Sequence, residues 1–285
     1  MPVNAQEEDF AALMFAQSKH DFEETYSRLK DRLAEEKEIQ IFAEIDHAED
    51  ARKTGRELLP SRLIIFGNAK AGTPIMQNRQ VAGLDLPLKI LLFENEKGDI
   101  LVAYSNVALL KNRYALKTKN ILRGIRKNLK DITYDVTGRN PKKTGAYKVR
   151  YQEGILSIKS KHSFKESLSR LKNEINNIDE LILFAEIDHT KNAEEKGLGM
   201  RPASLLVFGN AEVGTGLIQH SGVIGLELPV KILVWRDEKG MVQFSYNSAE
   251  FLSKRFRLDR ESEELLKMEE LLTKLAEKAA GVTSD

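Results

Sequence analysis

Five histidines and no cysteine set the chemistry open to this 285-residue chain. Without cysteine there is no disulfide framework, no thiolate zinc site and no thiol nucleophile. Four of the histidines stand in two matched contexts. His47 and His189 directly follow Asp46 and Asp188 at the end of an apolar run, whereas His20 and His162 follow Ser-Lys just ahead of an amphipathic run. Aspartate before a helix is a good N-cap, and Glu49 three residues on completes a capping box in the first copy. Asp46 also alternates with Glu44 onto one face of a strand, where a carboxylate pair can do acid–base work or hold a cation. His20 and His162 read as helix starts or surface residues.

The other motif is a loop, Phe66-Gly67-Asn68-Ala69-Lys70-Ala71-Gly72-Thr73, matched by Phe208-Gly209-Asn210-Ala211 and Gly214-Thr215. Two glycines between a strand and a helix start offer backbone N–H groups to an anion, with a threonine hydroxyl beside them. Alternatively, the glycines permit a tight turn and Asn68 ties the loop's own backbone. The loop has neither the Gly-Lys-Ser/Thr of a nucleotide-binding P-loop nor a G-x-G-x-x-G fingerprint, and the chain has no nucleophile elbow and no His-Glu-x-x-His. Lys70 is replaced by Glu212 in the second loop, so any anion preference differs between the two.

These motifs occur twice because the chain repeats. A shift of 142 residues places Ser18-Lys19-His20 on Ser160-Lys161-His162 and Phe42 to His47 on Phe184 to His189. It also places Leu86-Pro87 on Leu228-Pro229 and Tyr104 on Tyr246. Roughly four positions in ten are identical without a gap from Ser18 to Leu116, and each unit is large enough to be a domain. Within a unit, the periodicity predicts strands at 10–17, 39–45 and 63–66, with helices after the first two and a short helical stretch at 72–77. A hairpin turning at Asn95-Glu96-Lys97-Gly98 and a helix from Val107 complete it. Ala51 and Gly55 at i, i+4 fit a helix lying close on a sheet.

The combined pattern of Ile45-Asp46-His47, Phe66-Gly67-Asn68, Gly72 to Gln77, Leu86 to Lys89 and Tyr104 resembles the domain of unknown function 302 family of bacteria and archaea. The resemblance covers 18–116 and 160–258 and implies a compact α+β fold that tends to pair, with no established activity. Ala69 and Ala211 stand where the family usually has proline, and Gly216 and Ile218 replace the Pro-Met of the first copy, which predicts unequal sites.

The expected fold is therefore α+β: two repeated domains, each a mixed β-sheet with helices packed on it. The boundaries are 10–116 for the first repeat, 117–152 for a basic helical linker, 153–258 for the second repeat and 259–285 for an acidic C-terminal helix. The linker holds eleven Lys/Arg against two Asp up to Arg150, and the tail eight acids against four bases. The linker reads as solvated or paired with the tail; its aromatics are few (Tyr134, Tyr147, Tyr151), so nucleic acid is an unlikely partner. The N-terminus lacks the signal-peptide pattern and no stretch approaches the ~20 apolar residues that span a bilayer, so no membrane and a cytoplasmic location are expected.

If the first three strands are adjacent and parallel, His20, Asp46, His47, Gly67, Asn68, Gly72 and Thr73 gather at one sheet edge. Their counterparts, His162, Asp188, His189, Gly209, Asn210, Gly214 and Thr215, would do the same. The expected function is a small-ligand-binding or interaction module arranged as an internal pseudo-dimer, with a small anion as a candidate ligand. A metal-dependent or acid–base enzyme on the same residues, or a scaffold without ligand, are the alternatives. The sequence leans away from an enzyme, names no cofactor and assigns no metal ligand. Lys89, Lys231, Arg113 and Arg255 are matched charges that surface or dimer contacts account for.

Overall fold

A computed structural model describes residues 10, 12–145 and 148–282; Met1 to Asp9 and Tyr147 lie outside the described residues. The first repeat runs β1 (Leu13–Gln17), α1 (Phe22–Ala34), β2 (Gln40–Asp46), α2 (His47–Lys53), β3 (Ser61–Gly67) and α3 (Ala69–Asn78). A 3-10 segment (Gln80–Asp85), β4 (Leu88–Glu94), β5 (Ile100–Ser105), α4 (Val107–Arg113), α5 (Lys119–Thr137) and a two-residue β6 (Lys142–Lys143) follow. The second repeat runs β7 (Ile155–Lys159), α6 (Phe164–Asn176), β8 (Ile182–Asp188), α7 (His189–Glu194), β9 (Ala203–Gly209) and α8 (Ala211–His220). It continues with a 3-10 segment (Gly222–Leu226), β10 (Val230–Arg236), β11 (Val242–Asn247), α9 (Ala249–Phe256) and α10 (Glu263–Ala280).

The repeats are α+β, but their sheets are antiparallel throughout rather than mixed. The orders are β2-β3-β4-β5-β1-β6 and β8-β9-β10-β11-β7. The reason lies in α2. A parallel neighbour needs a crossover that returns along the whole strand. Seven helical residues rise only about 10 Å, against roughly 23 Å for a seven-residue strand. The chain therefore turns at the end of β2 and comes back as β3, with Asp46 opposite Arg62. Helix α1, at 13 residues, does cross the sheet, and it carries β2 to the edge far from β1.

The central strands are apolar on both faces. Ile64, Ile90, Leu91 and Leu92, with Leu206, Ile232, Leu233 and Val234, are fully buried. One face of each sheet is covered by its own helices, Phe22, Leu29 and Leu33 of α1 pointing inward as their spacing requires. The last helix of each repeat belongs to this cover: α5 packs on α1, and α10 packs on α6. The basic and acidic segments are thus not partners of each other. Gly55 is not a packing residue either; it follows the end of α2 with φ +74° and meets nothing within 4 Å.

The other face of each sheet meets the other repeat. Gln80–Asp85 lies on β9 and β10, and Gly222–Leu226 lies on β3 and β4. A Cβ on Gly83 would fall 3.1 Å from Leu233 Cδ1, and one on Gly225 would fall 3.1 Å from His47 Cδ2, so glycine permits the close approach. At the centre of the seam are the matched charges, and they are buried. Arg113, with no exposed surface, donates to Asp85 (2.9 Å) in its own repeat and to Asn247 (2.8 Å) in the other. Arg255 repeats this with Glu227 and, across the seam, Ser105. Glu227 also accepts from Lys231 and from Lys89 of the first repeat (3.0 Å). The exchange is reciprocal, as a two-fold relation between the repeats requires.

Burial pushes Lys89 down to about 7, against the pull of Glu227. Burial pushes the other way on Glu227 and is outweighed by Lys231, Lys89 and Arg255, so that carboxylate lies well below its ordinary range. Glu227→Gln removes the counter-charge that Lys231, Arg255 and Lys89 share, and a loss of about 3–5 kcal/mol is expected. Urea denaturation checks it; a loss within 1 kcal/mol would mean that the seam does not depend on this charge.

Candidate functional site

Each predicted motif forms as a local structure, but the motifs do not gather within one repeat. Asp46 caps α2 by accepting from the Glu49 amide (2.9 Å) and pairs with Arg62 (2.8 Å), which also holds Glu23 of α1 (2.7 Å). Burial raises the Asp46 carboxyl, and the bonds from Arg62 and Glu49 more than offset this, holding it below the usual range. Glu44 on the same face is tied to Tyr26 (2.5 Å) and Lys30 (3.0 Å), and its carboxyl also lies low despite burial. Two engaged, ionised carboxylates do not form an acid–base pair. Asp188 caps α7 through the Lys191 amide (2.9 Å). Among the described residues no three His, Asp or Glu side chains come together as a metal-binding group.

His20 and His162 stand one residue before the N-caps Asp21 and Ser163, with Nδ1 against Glu24 (2.8 Å) and Glu166 (2.9 Å) one turn on. His20 faces a surface hollow beside Asp99 and Glu94, on the same end of the sheet as Asp46 but at the other edge. Asn68 and Thr73 lie at the opposite end, because β3 runs back. The expected edge cluster is therefore absent, for the reason that made the sheet antiparallel.

Gly67 and Gly209 are needed for contact: a Cβ on either would meet the Cβ of Pro87 (3.0 Å) or Pro229 (3.2 Å). The loop does not form an anion cradle. Asn68 Oδ1 accepts from the Lys70 amide (2.9 Å), and its carbonyl accepts from the Ala71 and Gly72 amides (3.0 and 2.9 Å). Asn210 does the same for Glu212, Val213 and Gly214. These amides, three in each loop, are thus engaged within the loop itself.

Pairing of the repeats brings the motifs together in a different way. His189 of the second repeat lies in the wall of a cleft of about 460 Å³ whose floor is the first repeat's Gly67 to Thr73 loop. His47 of the first repeat lies in a cleft of about 370 Å³ with the second repeat's Gly209 to Thr215 loop. Helix α5 forms the third wall of the larger cleft through Ile121, Ile125 and Leu129, and α10 forms that of the smaller through Met268 and Leu271. Each cleft is thus composite, and each histidine serves the loop of the other repeat. Sequence reasoning missed the α5 wall and Gly83/Gly225. The repeated Gly-Leu-acid-Leu-Pro run, a carboxylate inside an apolar stretch, was the available signal for the seam.

Both histidines are nearly buried. His47 Nε2 bonds the Gly225 carbonyl (3.0 Å). His189 Nε2 has no hydrogen-bond partner of good geometry, although the nearby Gly83 and Leu86 backbone favours its protonated form. Burial outweighs that and pushes His189 down to about 4; His47 is lowered for the same cause. Both rings are neutral at pH 7.

The family model for the domain of unknown function DUF302 matches this chain twice, over residues 14–133 and 156–279. Two Brucella proteins named fluoride-specific ion channel FluC 1, from B. suis biovar 1 and B. abortus biovar 1, are each 34% identical over 114 residues. That stretch is 40% of this chain and 44% and 42% of theirs, so the chain spans under half the length of these relatives. Among the described residues no helix is long and apolar enough to cross a membrane. A solved structure, an uncharacterized DUF302 protein from Bacillus stearothermophilus, aligns with 45% of this chain and 98% of its own, at 16% identity and a TM-score of 0.41.

The histidines carry a pH dependence of stability. A ring bound more weakly to its proton when folded than when unfolded loses stability as pH falls from 6.5, the ordinary value, through the folded value of about 4. The loss expected for His189 is at most about 3 kcal/mol. Urea denaturation between pH 7 and 4.5 is expected to show this decline in the native chain and to lose it in the variant carrying both His47→Asn and His189→Asn. An unchanged decline would place it elsewhere.

Proposed function

Because the chain belongs to the domain of unknown function 302 family and carries the domain twice, we propose that it is a small-ligand-binding module whose two sites exist only when the repeats are paired. The observation that carries this reading is the placement of each Asp-His helix start against the Gly-Asn loop of the other repeat. Clefts of about 460 and 370 Å³ with apolar walls and a few polar groups have the size and character of small-molecule sites. The engaged state of Glu44, Asp46 and Asp188 favours binding over acid–base catalysis.

The two sites are unequal, as the sequence divergence between the repeats predicts, and His189 rather than His47 is the histidine of the first repeat's loop. The resemblance to proteins named as ion channels supports a portable accessory module: the likeness covers under half of their length. The cysteine-free composition suits a reducing compartment such as the cytoplasm.

The test is a metabolite panel screened by thermal shift on the intact chain, since selective binding to the native state raises stability. A ligand so found is then titrated by amide NMR. A ligand of the larger cleft is expected to move the amides of Gly67 to Thr73 together with those of His189 to Lys196, leaving His47 to Lys53 unmoved. Co-movement of Gly67 to Thr73 with His47 to Lys53 instead would refute composite sites.

A further inference from the structure

We propose that the larger cleft takes an uncharged amphipathic small molecule, its apolar body along α5 and its hydrogen-bonding end between Thr73 and His189, and that Gly124 holds the cleft open for it. The inference rests on the reading of the composite clefts as ligand sites and adds the ligand's chemical class.

Gly124 is the starting observation. It is the sixth residue of the 19-residue α5, past the first turn, where glycine costs roughly 1 kcal/mol relative to alanine. Packing does not require it: a Cβ there meets nothing within 4 Å, and its φ is not in the left-handed region. What it does is line the cleft, between Ile121 and Ile125 on the apolar wall. The second repeat supplies the contrast. Helices α5 and α10 both end on a left-handed glycine, Gly138 and Gly281, and counting back fourteen residues from each places Gly124 opposite Lys267. Lys267 lies over the smaller cleft and pairs with Glu263. One helix spends a side chain where the other leaves space.

The polar groups set the class. The two lysines at the mouth, Lys70 and Lys196, are both held by Glu38, at 2.8 and 3.2 Å. The remaining charges of the lining, Lys37 against Glu36 and Glu195, add no excess of positive charge. The Lys70, Ala71 and Gly72 amides at the start of α3 are taken by Asn68. A free anion therefore finds no uncompensated partner. Two uncharged polar groups of the lining are available instead. His189 Nε2 is buried and makes no hydrogen bond of good geometry, with the Gly83 and Leu86 backbone nearby, and the ring is neutral. Thr73, 4% exposed, lines the same cleft and offers a hydroxyl there. Buried polar groups are nearly always paired, so an unpaired imidazole nitrogen beside a hydroxyl at one end of the cleft marks where a ligand's own donor or acceptor would sit.

Fluorescence titration of the intact chain tests this with two probes of similar size, neutral N-phenyl-1-naphthylamine and anionic 8-anilinonaphthalene-1-sulfonate. The neutral probe is expected to bind at one site at least tenfold more tightly than the anionic one. Gly124→Leu, which fills the cleft on a helix that tolerates it, is expected to weaken the neutral probe at least tenfold while the melting temperature holds or rises. Gly124→Ala is expected to bind as the native chain does. Thr73→Val is expected to weaken binding several-fold. A tighter anionic probe that Gly124→Leu also expels would overturn the ligand class and leave the cleft as a site. Neutral-probe binding indifferent to Gly124→Leu would overturn the assignment to this cleft. Stoichiometric binding of neither probe would overturn both the class and the reading of the cleft as a ligand site.

Discussion

Glu227 holds three basic side chains, Lys89, Lys231 and Arg255, in a place closed to water, and one of the three comes from the other repeat. Such a carboxylate cannot be separated from its partners without leaving charge in an apolar interior, which costs several kcal/mol per ion. Its counterpart, Asp85, is one methylene shorter. It reaches Arg113 and the Tyr114 hydroxyl (2.7 Å) but neither lysine. The two-fold relation between the repeats is therefore broken at its centre: the first repeat's lysine answers to the second repeat's acid. Arg113 adds a stacking contact across the seam, its guanidinium 4.0 Å from the Phe251 ring.

The clefts follow from that pairing. Once the 3-10 segments lie on the opposite sheets, the start of each short helix after β2 or β8 is carried across the seam to the far repeat's loop. The divergence between the two copies then reads as compensated change. Lys70 at one loop is balanced by Glu38, which also draws Lys196 across the seam. At the other loop the position is Glu212, and its cross-seam partner is Arg56 (3.1 Å). The signs are reversed while a link between repeats is kept.

Much of this was legible in the sequence, and the limits have physical causes. The repeat shows in self-comparison, and the helices with their apolar faces, the hairpin at Asn95 to Gly98, the cap at Asp46 and the backbone tie at Asn68 depend on residues near each other in the chain, where spacing and turn chemistry decide the outcome. The motifs were visible as repeated residues, although the placement expected of them within one repeat differs from the one observed. His20, Asp46 and Asn68 were placed at one edge because parallel strands were assumed, and the brevity of α2 shows why they are not. The burial of Arg113, Arg255, Lys89 and Lys231 was not legible, because a charge reads as surface until the apolar surroundings that enclose it are known, and those come from the other repeat. Gly124 gave no signal for a similar reason: its meaning is the space beside it.

The central claim is that each cleft is built from both repeats, and the absence of native cysteine makes it directly measurable. Lys70 and Lys196 share Glu38 across the seam, whereas Thr54, the position in the first repeat that matches Lys196, lies at the other end of the sheet from Lys70. Two double variants, Lys70→Cys with Lys196→Cys and Lys70→Cys with Thr54→Cys, are treated in dilute solution with a short bismaleimide and scored for intrachain linkage by mass spectrometry. Linkage in the first variant and not in the second is the expected result. Linkage in the second and not in the first would contradict the composite site.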